Sequence, residues 1–266
     1  MNTLEREQVY SSFLDRLGGA PSWVLLIDYD GTLAPFSVDR EHAFPYPEIP
    51  GLLGRIMAAG TRVVLISGRP AREVMLLAGV HPHPEIWGSH GRERLTADGN
   101  YKVQDLPPEY ETALLRAAEL IRHENLECRM ELKTGGVAIH WRGLDGREIA
   151  GLEQRVLELW KPMLSGDSAL ELLKFDGGLE LRAPGTNKGR AVQTILKESG
   201  AAAAIAYLGD DLTDEDAFRA LKGRGLTVLV RPQFRSTTAD VWLQPPQELI
   251  QFFEEWLRKA GGNHDQ

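Results

Sequence analysis

The sequence contains a single cysteine, Cys128, and this scarcity excludes two kinds of stabilising site. One thiol can form neither an internal disulfide nor a zinc site built from several cysteines. Because Cys128 lies in a stretch where apolar and polar residues alternate, we expect a buried thiol that packs as a small apolar group.

Long apolar runs and an excess of positive charge are also missing. No stretch approaches the roughly 18 consecutive apolar residues of a membrane-spanning helix, and residues 1–20 lack the apolar core of a signal peptide. The 30 Lys and Arg residues are outnumbered by 38 Asp and Glu residues, which does not favour binding to nucleic acid or to an anionic membrane. We therefore expect a cytoplasmic protein with neither nucleic acid nor membrane as a partner. A monomer is our expectation for its oligomeric state, although these features do not determine it.

Continuous apolar stretches alternate with helical patterns in two parts of the chain. We predict strands at 23–27, 62–67, 85–89, 205–209 and 227–230, and helices at 50–60, 70–79, 187–200, 213–223 and 248–257. Apolar strands separated by helices are typical of a parallel sheet that is covered on both faces. The sequence therefore predicts an α/β fold whose core, a doubly wound parallel sheet, is formed by residues 1–105 and 184–266.

Residues 106–183 follow a different pattern, which predicts an inserted α+β cap domain with an antiparallel sheet and two helices. Apolar and polar residues alternate at 126–133 and 137–142 around a turn that contains glycine, as in a hairpin. Helical patterns at 107–123 and 146–163 can cover the apolar face of such a sheet. We expect its polar face to be left free and to present Glu131, Lys133, His140, Arg142 and Glu180.

Polar residues collect where the predicted parallel strands end and at the start of one late helix. They are Asp28, Asp30, Thr32, Ser67, Gly68, Arg69, Lys188, Asp210, Asp211 and Asp214. Because ligands of such sheets bind beyond the carboxyl ends of the strands, we expect these residues to surround one crevice.

A cluster of carboxylates requires compensation, since two unit charges at ~4 Å repel by about 4 kcal/mol at an effective dielectric near 20. A divalent cation would provide it, and oxygen ligands without His or Cys favour Mg²⁺ over zinc. The hydroxyl of Ser67, the amides around Gly68 and the ammonium of Lys188 are phosphate-binding groups. With the metal on one side and the ammonium of Lys188 on the other, a phosphoryl group could be held between them during its transfer.

Asp28 and Asp30 are two positions apart on an extended segment, so their side chains point the same way. Asp28 can attack phosphorus to form an aspartyl-phosphate. Asp30 can protonate the leaving oxygen and later take a proton from the hydrolytic water. The alternatives are that Asp30 begins an ordinary Asp-Gly turn, and that the acids at 210–216 are a solvated helix start.

Four short motifs occur in order along the chain: DYDGT, ISGR, KG and GDDLTDED. This set resembles the four motifs of the haloacid dehalogenase (HAD) superfamily of phosphohydrolases, with a cap inserted between the second and third. The stretches GSHG, ExK followed by HxR, LELR with NKG, and YLGDDLTDEDAF are in addition similar to trehalose-6-phosphate phosphatases. That family's third motif usually reads LRP, whereas this chain has LRA followed by Pro184.

The resemblance implies hydrolysis of trehalose 6-phosphate to trehalose and phosphate in trehalose biosynthesis, with Mg²⁺ as the cofactor. It implies that Asp28 is the nucleophile, that Asp30 is the general acid/base, and that the phosphate is bound by Ser67, Gly68 and Lys188. The metal ligands it implies are the side chain of Asp28, the backbone carbonyl of Asp30 and the side chain of Asp210, with two more acids in the metal's vicinity, Asp211 and Asp214.

The resemblance also implies which residues bind the sugar. Glu131, Lys133 and Glu180 match the cap residues that hold the distal ring. His90 and Arg69 are further candidates for contact with substrate, Arg69 through its phosphate. For these two, an ordinary loop histidine and an ion pair with an acid stay open as alternatives.

Three other functions are compatible with part of this pattern. A phosphatase of another sugar phosphate would differ only in its cap. A phospho-accepting receiver domain is about half this length, and its acidic pair and acceptor aspartate follow different strands. A catalytically inactive binding module would have lost Asp28, Asp30 or Lys188, and all three are present.

Overall fold

The computed structural model describes residues 3–37, 39–166, 169–175 and 177–261. They form two compact units. The core unit contains the described residues up to Lys102 and from Asn187 onward, and the inserted unit spans Val103–Thr186. Within these described ranges, no helix is both long enough and apolar enough to span a membrane.

Twelve strands and eight α-helices form in the described residues. The strands are β1 (Trp23–Ile27), β2 (Arg62–Ile66), β3 (Glu85–Gly88), β4 (Glu93–Leu95), β5 (Tyr101–Val103), β6 (Met130–Lys133), β7 (Gly136–His140), β8 (Glu171–Phe175), β9 (Gly178–Arg182), β10 (Ala204–Gly209), β11 (Leu226–Val230) and β12 (Val241–Leu243). The helices are α1 (Thr3–Gly19), α2 (Ile49–Ala58), α3 (Ala71–Ala78), α4 (Pro108–His123), α5 (Gly146–Trp160), α6 (Lys188–Ser199), α7 (Glu215–Leu221) and α8 (Gln247–Gly261).

The core unit is built on an eight-stranded sheet in the order β12-β11-β10-β1-β2-β3-β4-β5. The pairs from β12 to β3 are parallel, and β3 pairs with β4 in the antiparallel direction. β1 lies in the middle, with Val24 opposite Arg62 of β2 and Ile205 of β10. This arrangement confirms the predicted α/β class with a largely parallel sheet.

Every residue of β1 is buried because helices cover both faces of the sheet. Successive side chains of a strand point to opposite faces. Leu25 and Ile27 accordingly belong to one apolar cluster, which includes residues of α1, α2, α3 and α8. Val24 and Leu26 belong to another, which includes residues of α6 and α7. The continuous apolar pattern of the strand therefore reflects burial on two sides.

The inserted unit is a four-stranded antiparallel sheet in the order β6-β7-β9-β8, covered by α4 and α5. Val137, Ile139 and Leu181 point to the apolar face and pack with side chains of both helices, among them Ile121 and Trp160. The α+β architecture predicted for this part of the chain is therefore correct.

The expectation for Cys128 is wrong, because the thiol is exposed. The strand predicted at 126–133 begins only at Met130, and Glu127–Arg129 forms a 3₁₀ turn. Asn125 adopts a left-handed conformation (φ 56°) directly after α4, and the chain turns there before the strand starts. The apolar–polar alternation of residues 126–129 thus belongs to a turn and has no buried face.

Other boundaries differ in informative ways. The helix predicted at 213–223 is a 3₁₀ turn, Leu212–Asp214, followed by α7. The strands β4, β5 and β12 and the helix α1 were not predicted from the sequence. Each of these three strands has only three residues, which is too short for a period of two to stand out.

Candidate active site

The candidate site lies where β1, β2 and β10 end. Asp28 follows β1, Ser67 follows β2 and Asp210 follows β10. The three strands are parallel neighbours, so their carboxyl ends meet at one edge of the sheet. The Asp28 N–H continues the ladder by donating to the Leu208 carbonyl (2.8 Å), which brings the segments after β1 and β10 together.

Three carboxylates form a buried triad at this edge. Asp28, Asp210 and Asp214 each place an oxygen within 4.8 Å of the others. Their exposed fractions are 3%, 6% and 0%. At such distances, and away from water, three negative charges need protons or cations to coexist.

Lys188, the first residue of α6, supplies one cation. Its Nζ donates to Asp28 Oδ1 (2.6 Å) and to Asp214 Oδ1 (2.8 Å). Burial disfavours the charged ammonium, but the carboxylates of Asp214 and Asp28 outweigh burial and raise the pKa of Lys188. A buried lysine with two carboxylate partners is charged at neutral pH, so Lys188 brings a positive charge into the triad.

One ammonium does not balance three carboxylates. Burial, assisted by the charge of Asp214, raises the pKa of Asp28 to about 7 against the lowering effect of Lys188. Burial and the neighbouring carboxylates of Asp28 and Asp214 also raise the pKa of Asp210 well above its ordinary value. The site therefore retains protons that a divalent cation would displace.

The three carboxylates differ in how far their oxygens are already engaged. Asp214 accepts four hydrogen bonds: from Lys188, from the Tyr207 hydroxyl (2.5 Å) and from the backbone N–H groups of Asp210 (3.2 Å) and Asp211 (3.0 Å). Oδ1 of Asp210, in contrast, is buried without a hydrogen-bond partner among the described residues. Asp211 Oδ1 accepts from the Leu212 N–H (2.7 Å) at the start of the following turn.

These observations fit a hard divalent cation. Asp210, whose Oδ1 has no hydrogen-bond partner among the described residues, belongs to one buried cluster with Asp28, and all the candidate ligand atoms of this cluster are oxygens, as Mg²⁺ prefers. Gly31 has a left-handed conformation (φ 84°), and a Cβ at this position would lie 2.0 Å from Asp210 Oδ2. Only glycine therefore lets the backbone after Asp30 approach the Asp210 carboxylate this closely.

Asp30 does not join the triad with its side chain. Its carboxylate accepts two hydrogen bonds from Arg69, one from Nε and one from Nη2, both at 2.7 Å. Arg69 is almost completely buried and also donates to Glu73 and to the Arg40 carbonyl (2.9 Å). Of the two alternatives for Arg69, the structure therefore contains the ion pair with an acid.

The ISGR and GSHG loops lie against each other. His90 N–H donates to the Ser67 carbonyl (2.9 Å), and the His90 ring covers Gly68, where a Cβ would lie 2.8 Å from Cε1 and Nε2. Ser89 and His90 both have positive φ, 48° and 56°, which is a strained conformation for residues other than glycine. Glu93 supports this loop, because Oε1 accepts from the Ser89 hydroxyl at 2.7 Å.

In the inserted unit, the polar face of the sheet carries carboxylates that are each paired with a cationic or imidazole group. Glu131 Oε2 lies 2.7 Å from His140 Nε2, and Lys133 Nζ donates to Glu180 Oε2 at 2.6 Å. Glu180 is only 2% exposed. The expectation that this polar face is left free is therefore wrong for Glu180. Arg142 lies two residues beyond β7 and is half-buried.

Comparison with known proteins decides the family. A family model described as trehalose-phosphatase matches residues 26–241. The chain belongs to the trehalose-phosphatase family. It is 29% identical over 262 residues to trehalose-phosphate phosphatase B of Arabidopsis thaliana, covering 90% of this chain and 68% of that protein. It is 31% identical to trehalose-phosphate phosphatase of Mycobacterium avium, covering 94% of this chain and 66% of that protein.

Solved structures agree on the fold. The C-terminal domain of Candida albicans trehalose-6-phosphate phosphatase superposes with a TM-score of 0.78 at 19% identity, covering 94% of this chain and 96% of that one. A HAD-superfamily phosphatase of Bacteroides thetaiotaomicron gives a TM-score of 0.60 at 16% identity, covering 88% and 95%. The resemblance to the trehalose-phosphatase family is confirmed, and the superpositions show a fold shared with HAD-superfamily phosphatases. Membership of the trehalose-phosphatase family supports hydrolysis of trehalose 6-phosphate in trehalose biosynthesis.

Sequence reasoning missed several residues around the candidate site. Tyr207 belongs to an apolar strand pattern, yet its hydroxyl contacts Asp214. Glu93 lies in a three-residue strand that was not predicted. Arg235, on the loop after β11, contacts the backbone of Asp210 and Asp211. No local signal in the sequence could have identified these contacts, because each joins segments that are brought together only by the fold.

Proposed function

We propose that this chain hydrolyses trehalose 6-phosphate to trehalose and inorganic phosphate through an aspartyl-phosphate on Asp28. The observation that carries the proposal is the charge arrangement after β1: Asp28 is bound by Lys188 and shares a buried cluster with Asp210, whose Oδ1 has no hydrogen-bond partner among the described residues. A buried carboxylate held in place by an ammonium is positioned as a nucleophile toward phosphorus.

In the first step, an oxygen of Asp28 attacks phosphorus while the bond from phosphorus to the sugar oxygen breaks. Asp30 gives its proton to that leaving oxygen, and trehalose departs. The carboxylate of Asp30 is bound by Arg69 in the structure, so before this step it has to leave Arg69 and take up a proton from solvent.

In the second step, water attacks the phosphorus of the aspartyl-phosphate. Asp30 takes a proton from this water, the bond between phosphorus and the Asp28 oxygen breaks, and inorganic phosphate leaves. Asp28 and Asp30 thereby return to their initial states, and the two steps together consume one water molecule.

Mg²⁺ is the cofactor we propose. Asp28, Asp210 and the backbone carbonyl of Asp30 would hold it, where it would neutralise charge on the transferring phosphoryl group. The full set of donors to Asp214 supports a role in which this residue orients Lys188 and the segment after β10. The hydrogen bond of Asp211 to the turn supports a role outside direct ligation.

Phosphate binding is assigned to Ser67, Gly68 and Lys188, with His90 against Gly68 as the group that shapes this loop. The hydroxyl of Ser67 and the ammonium of Lys188 are both buried at strand and helix ends, as expected of groups that replace the hydration of a phosphate. Arg69 is assigned to Asp30 and not to substrate.

We further propose that the inserted unit, taken as a cap of residues 106–183 on a core of 1–105 and 184–266, selects the sugar. Glu131, Lys133 and Glu180 offer carboxylates and an ammonium to sugar hydroxyls. A site built to pair hydroxyls rejects ligands that leave its buried polar groups without partners, by up to about 10⁴–10⁵-fold.

Phosphate release from a panel of sugar phosphates, with Mg²⁺ and with EDTA, tests the proposal. We expect strong preference for trehalose 6-phosphate over glucose 6-phosphate and loss of turnover in EDTA. Equal activity on glucose 6-phosphate would overturn the proposed substrate, and full activity after exhaustive EDTA treatment would overturn the proposed cofactor.

A further inference from the structure

A guanidinium on the loop between β11 and β12 holds the segment that carries Asp210. Nε of Arg235 donates to the Asp210 carbonyl (3.1 Å), and Nη2 donates to the Asp211 carbonyl (2.6 Å). Nη1 donates to Glu215 Oε1 (2.6 Å) and to the Ser236 carbonyl (2.9 Å). One side chain therefore binds both ends of the connection from β10 to α7.

The position of Arg235 is itself fixed by Glu215, the first residue of α7. The carboxylate of Glu215 also accepts hydrogen bonds from the Thr237 hydroxyl (2.7 Å) and from the Thr238 N–H (2.9 Å) and hydroxyl (2.7 Å). The side chains of Arg235 and Glu215 are 16% and 13% exposed. A planar guanidinium whose donors are engaged in this way has little freedom to move.

This arrangement fixes the backbone of Asp210 and leaves one oxygen of its carboxylate without a hydrogen bond from the described residues. Arg235 contacts the carbonyl of Asp210, and Arg231 adds a weaker contact to the same carbonyl at 3.3 Å. Oδ1 of Asp210 remains buried and without a hydrogen-bond partner in the described part of the chain. A carboxylate with a free oxygen and an anchored backbone can meet a ligand without reorganisation.

Mg²⁺ benefits more from such anchoring than Ca²⁺ does. Mg²⁺ requires nearly ideal octahedral geometry with bonds of about 2.0–2.1 Å, whereas Ca²⁺ accepts longer bonds and irregular geometry. Partners that orient the ligands of a metal typically change its affinity by about 10–100-fold when they are removed.

We propose that Arg235 is a positioning residue for the metal site. By holding the backbone of Asp210, it orients the free oxygen of that carboxylate and so raises the affinity for Mg²⁺ and the preference for Mg²⁺ over Ca²⁺. This inference rests on the proposed Mg²⁺ dependence. Arg235 acts through the carbonyls of Asp210 and Asp211, and its contacts in the structure are all with protein groups.

The test is calorimetric titration of the metal-free protein with MgCl₂ and, separately, with CaCl₂. We expect Arg235→Gln to raise the Kd for Mg²⁺ by about 10–100-fold, and to raise the Kd for Ca²⁺ by less. Arg235→Lys keeps the charge and loses the planar fork, so its Kd for Mg²⁺ should lie between those of the wild type and Arg235→Gln. Circular dichroism and melting in EDTA establish which variants fold.

Two further variants set the limits of the expected change in Mg²⁺ affinity. Arg219→Gln removes an exposed arginine that pairs with Asp216 on the same helix, α7, and should bind Mg²⁺ as the wild type does. Asp210→Asn should lose most Mg²⁺ binding.

A folded Arg235→Gln variant with the wild-type Kd would overturn the inference and leave the proposed function intact. If that variant does not fold, an unchanged Kd in Arg235→Lys has the same meaning. Equal losses for Mg²⁺ and Ca²⁺ would contradict the geometric role. Absence of Mg²⁺ binding in the wild type would overturn both the inference and the proposed cofactor.

Discussion

The two units both contain clusters of acidic side chains, but their charges are balanced differently. In the core unit, Lys188 is the ammonium that contacts the carboxylate triad, and it contacts two of its three members. In the inserted unit, Glu131 is paired with His140 and Glu180 with Lys133. The first cluster has an excess of negative charge, whereas each acid of the second has its own partner.

The difference separates two kinds of chemistry. An unbalanced, buried cluster raises the pKa values of its acids and attracts a metal and a phosphoryl group. Matched pairs need no metal and offer ordered donors and acceptors to neutral hydroxyls. We therefore associate the core cluster with reaction and the inserted-unit pairs with recognition.

The largest expected effect is the loss of the nucleophile. Asp28→Asn replaces the attacking carboxylate with an amide, which is a much weaker nucleophile, and we expect kcat to fall by at least about 10⁴-fold. Phosphate release from trehalose 6-phosphate measures the change. Residual activity above about one percent of the wild-type rate would mean that Asp28 is not the nucleophile.

The second effect concerns proton transfer. Asp30→Asn keeps the nucleophile but removes the proton donor, and general acid–base catalysis is typically worth about 10²–10⁴-fold. We expect a loss of this size in kcat for trehalose 6-phosphate. The loss should be smaller for p-nitrophenyl phosphate, whose leaving group needs little protonation. Because Asp30 also serves the second step, which both substrates share, the rate of phosphoryl transfer to Asp28 within the first turnover decides its role: equal losses of that rate on the two substrates would contradict the assignment of Asp30 as general acid.

A smaller effect should follow from breaking a matched pair of the inserted unit. Glu180→Ala or Lys133→Ala should lower kcat/KM for trehalose 6-phosphate by about tenfold or more, roughly 1.4 kcal/mol. Hydrolysis of p-nitrophenyl phosphate, which has no sugar, should hardly change. Lys174→Ala is the control, because it breaks an exposed pair with Glu153 in the same unit. Parallel losses on both substrates would indicate a structural role instead.

The smallest effect is on stability, and its sign follows from Asp28. The pKa of Asp28 is about 7 in the folded protein and near 3.8 in the unfolded chain. At pH values between these two pKa values, the folded protein therefore binds more protons than the unfolded chain. The contribution of this proton to stability is present at low pH and is lost as pH rises toward and through 7. The melting temperature of metal-free wild type, measured relative to Asp28→Asn, should therefore fall by several degrees from pH 5 to pH 7.5. A relative rise would contradict the raised pKa.

Periodicity and strand ends were sufficient to predict the core. The strand at 23–27 is apolar at every position, so its burial and the location of Asp28 at its end follow from the sequence. Asp210 follows a similar strand, and parallel pairing brings the two acids together. These features depend on local pattern and on one general rule of sheet topology.

Features that depend on which side chains meet across the fold could not be predicted. The sequence left two roles open for Arg69, and only the folded chain brings it to Asp30, 39 positions earlier. Asp214 resembles an ordinary acid at a helix start, and its four donors come from three different segments. Cys128 illustrates the opposite error, since a short alternating pattern also occurs in a turn.

The most direct test of the account is to find which residue carries the phosphoryl group. Protein mixed with trehalose 6-phosphate and Mg²⁺ should be quenched in acid within the first turnover, digested and analysed by mass spectrometry. The account predicts one phosphoryl group on the peptide that contains Asp28, and none in Asp28→Asn or in the presence of EDTA. Turnover of trehalose 6-phosphate with no phosphorylated peptide, or with the phosphoryl group on another residue, would contradict it.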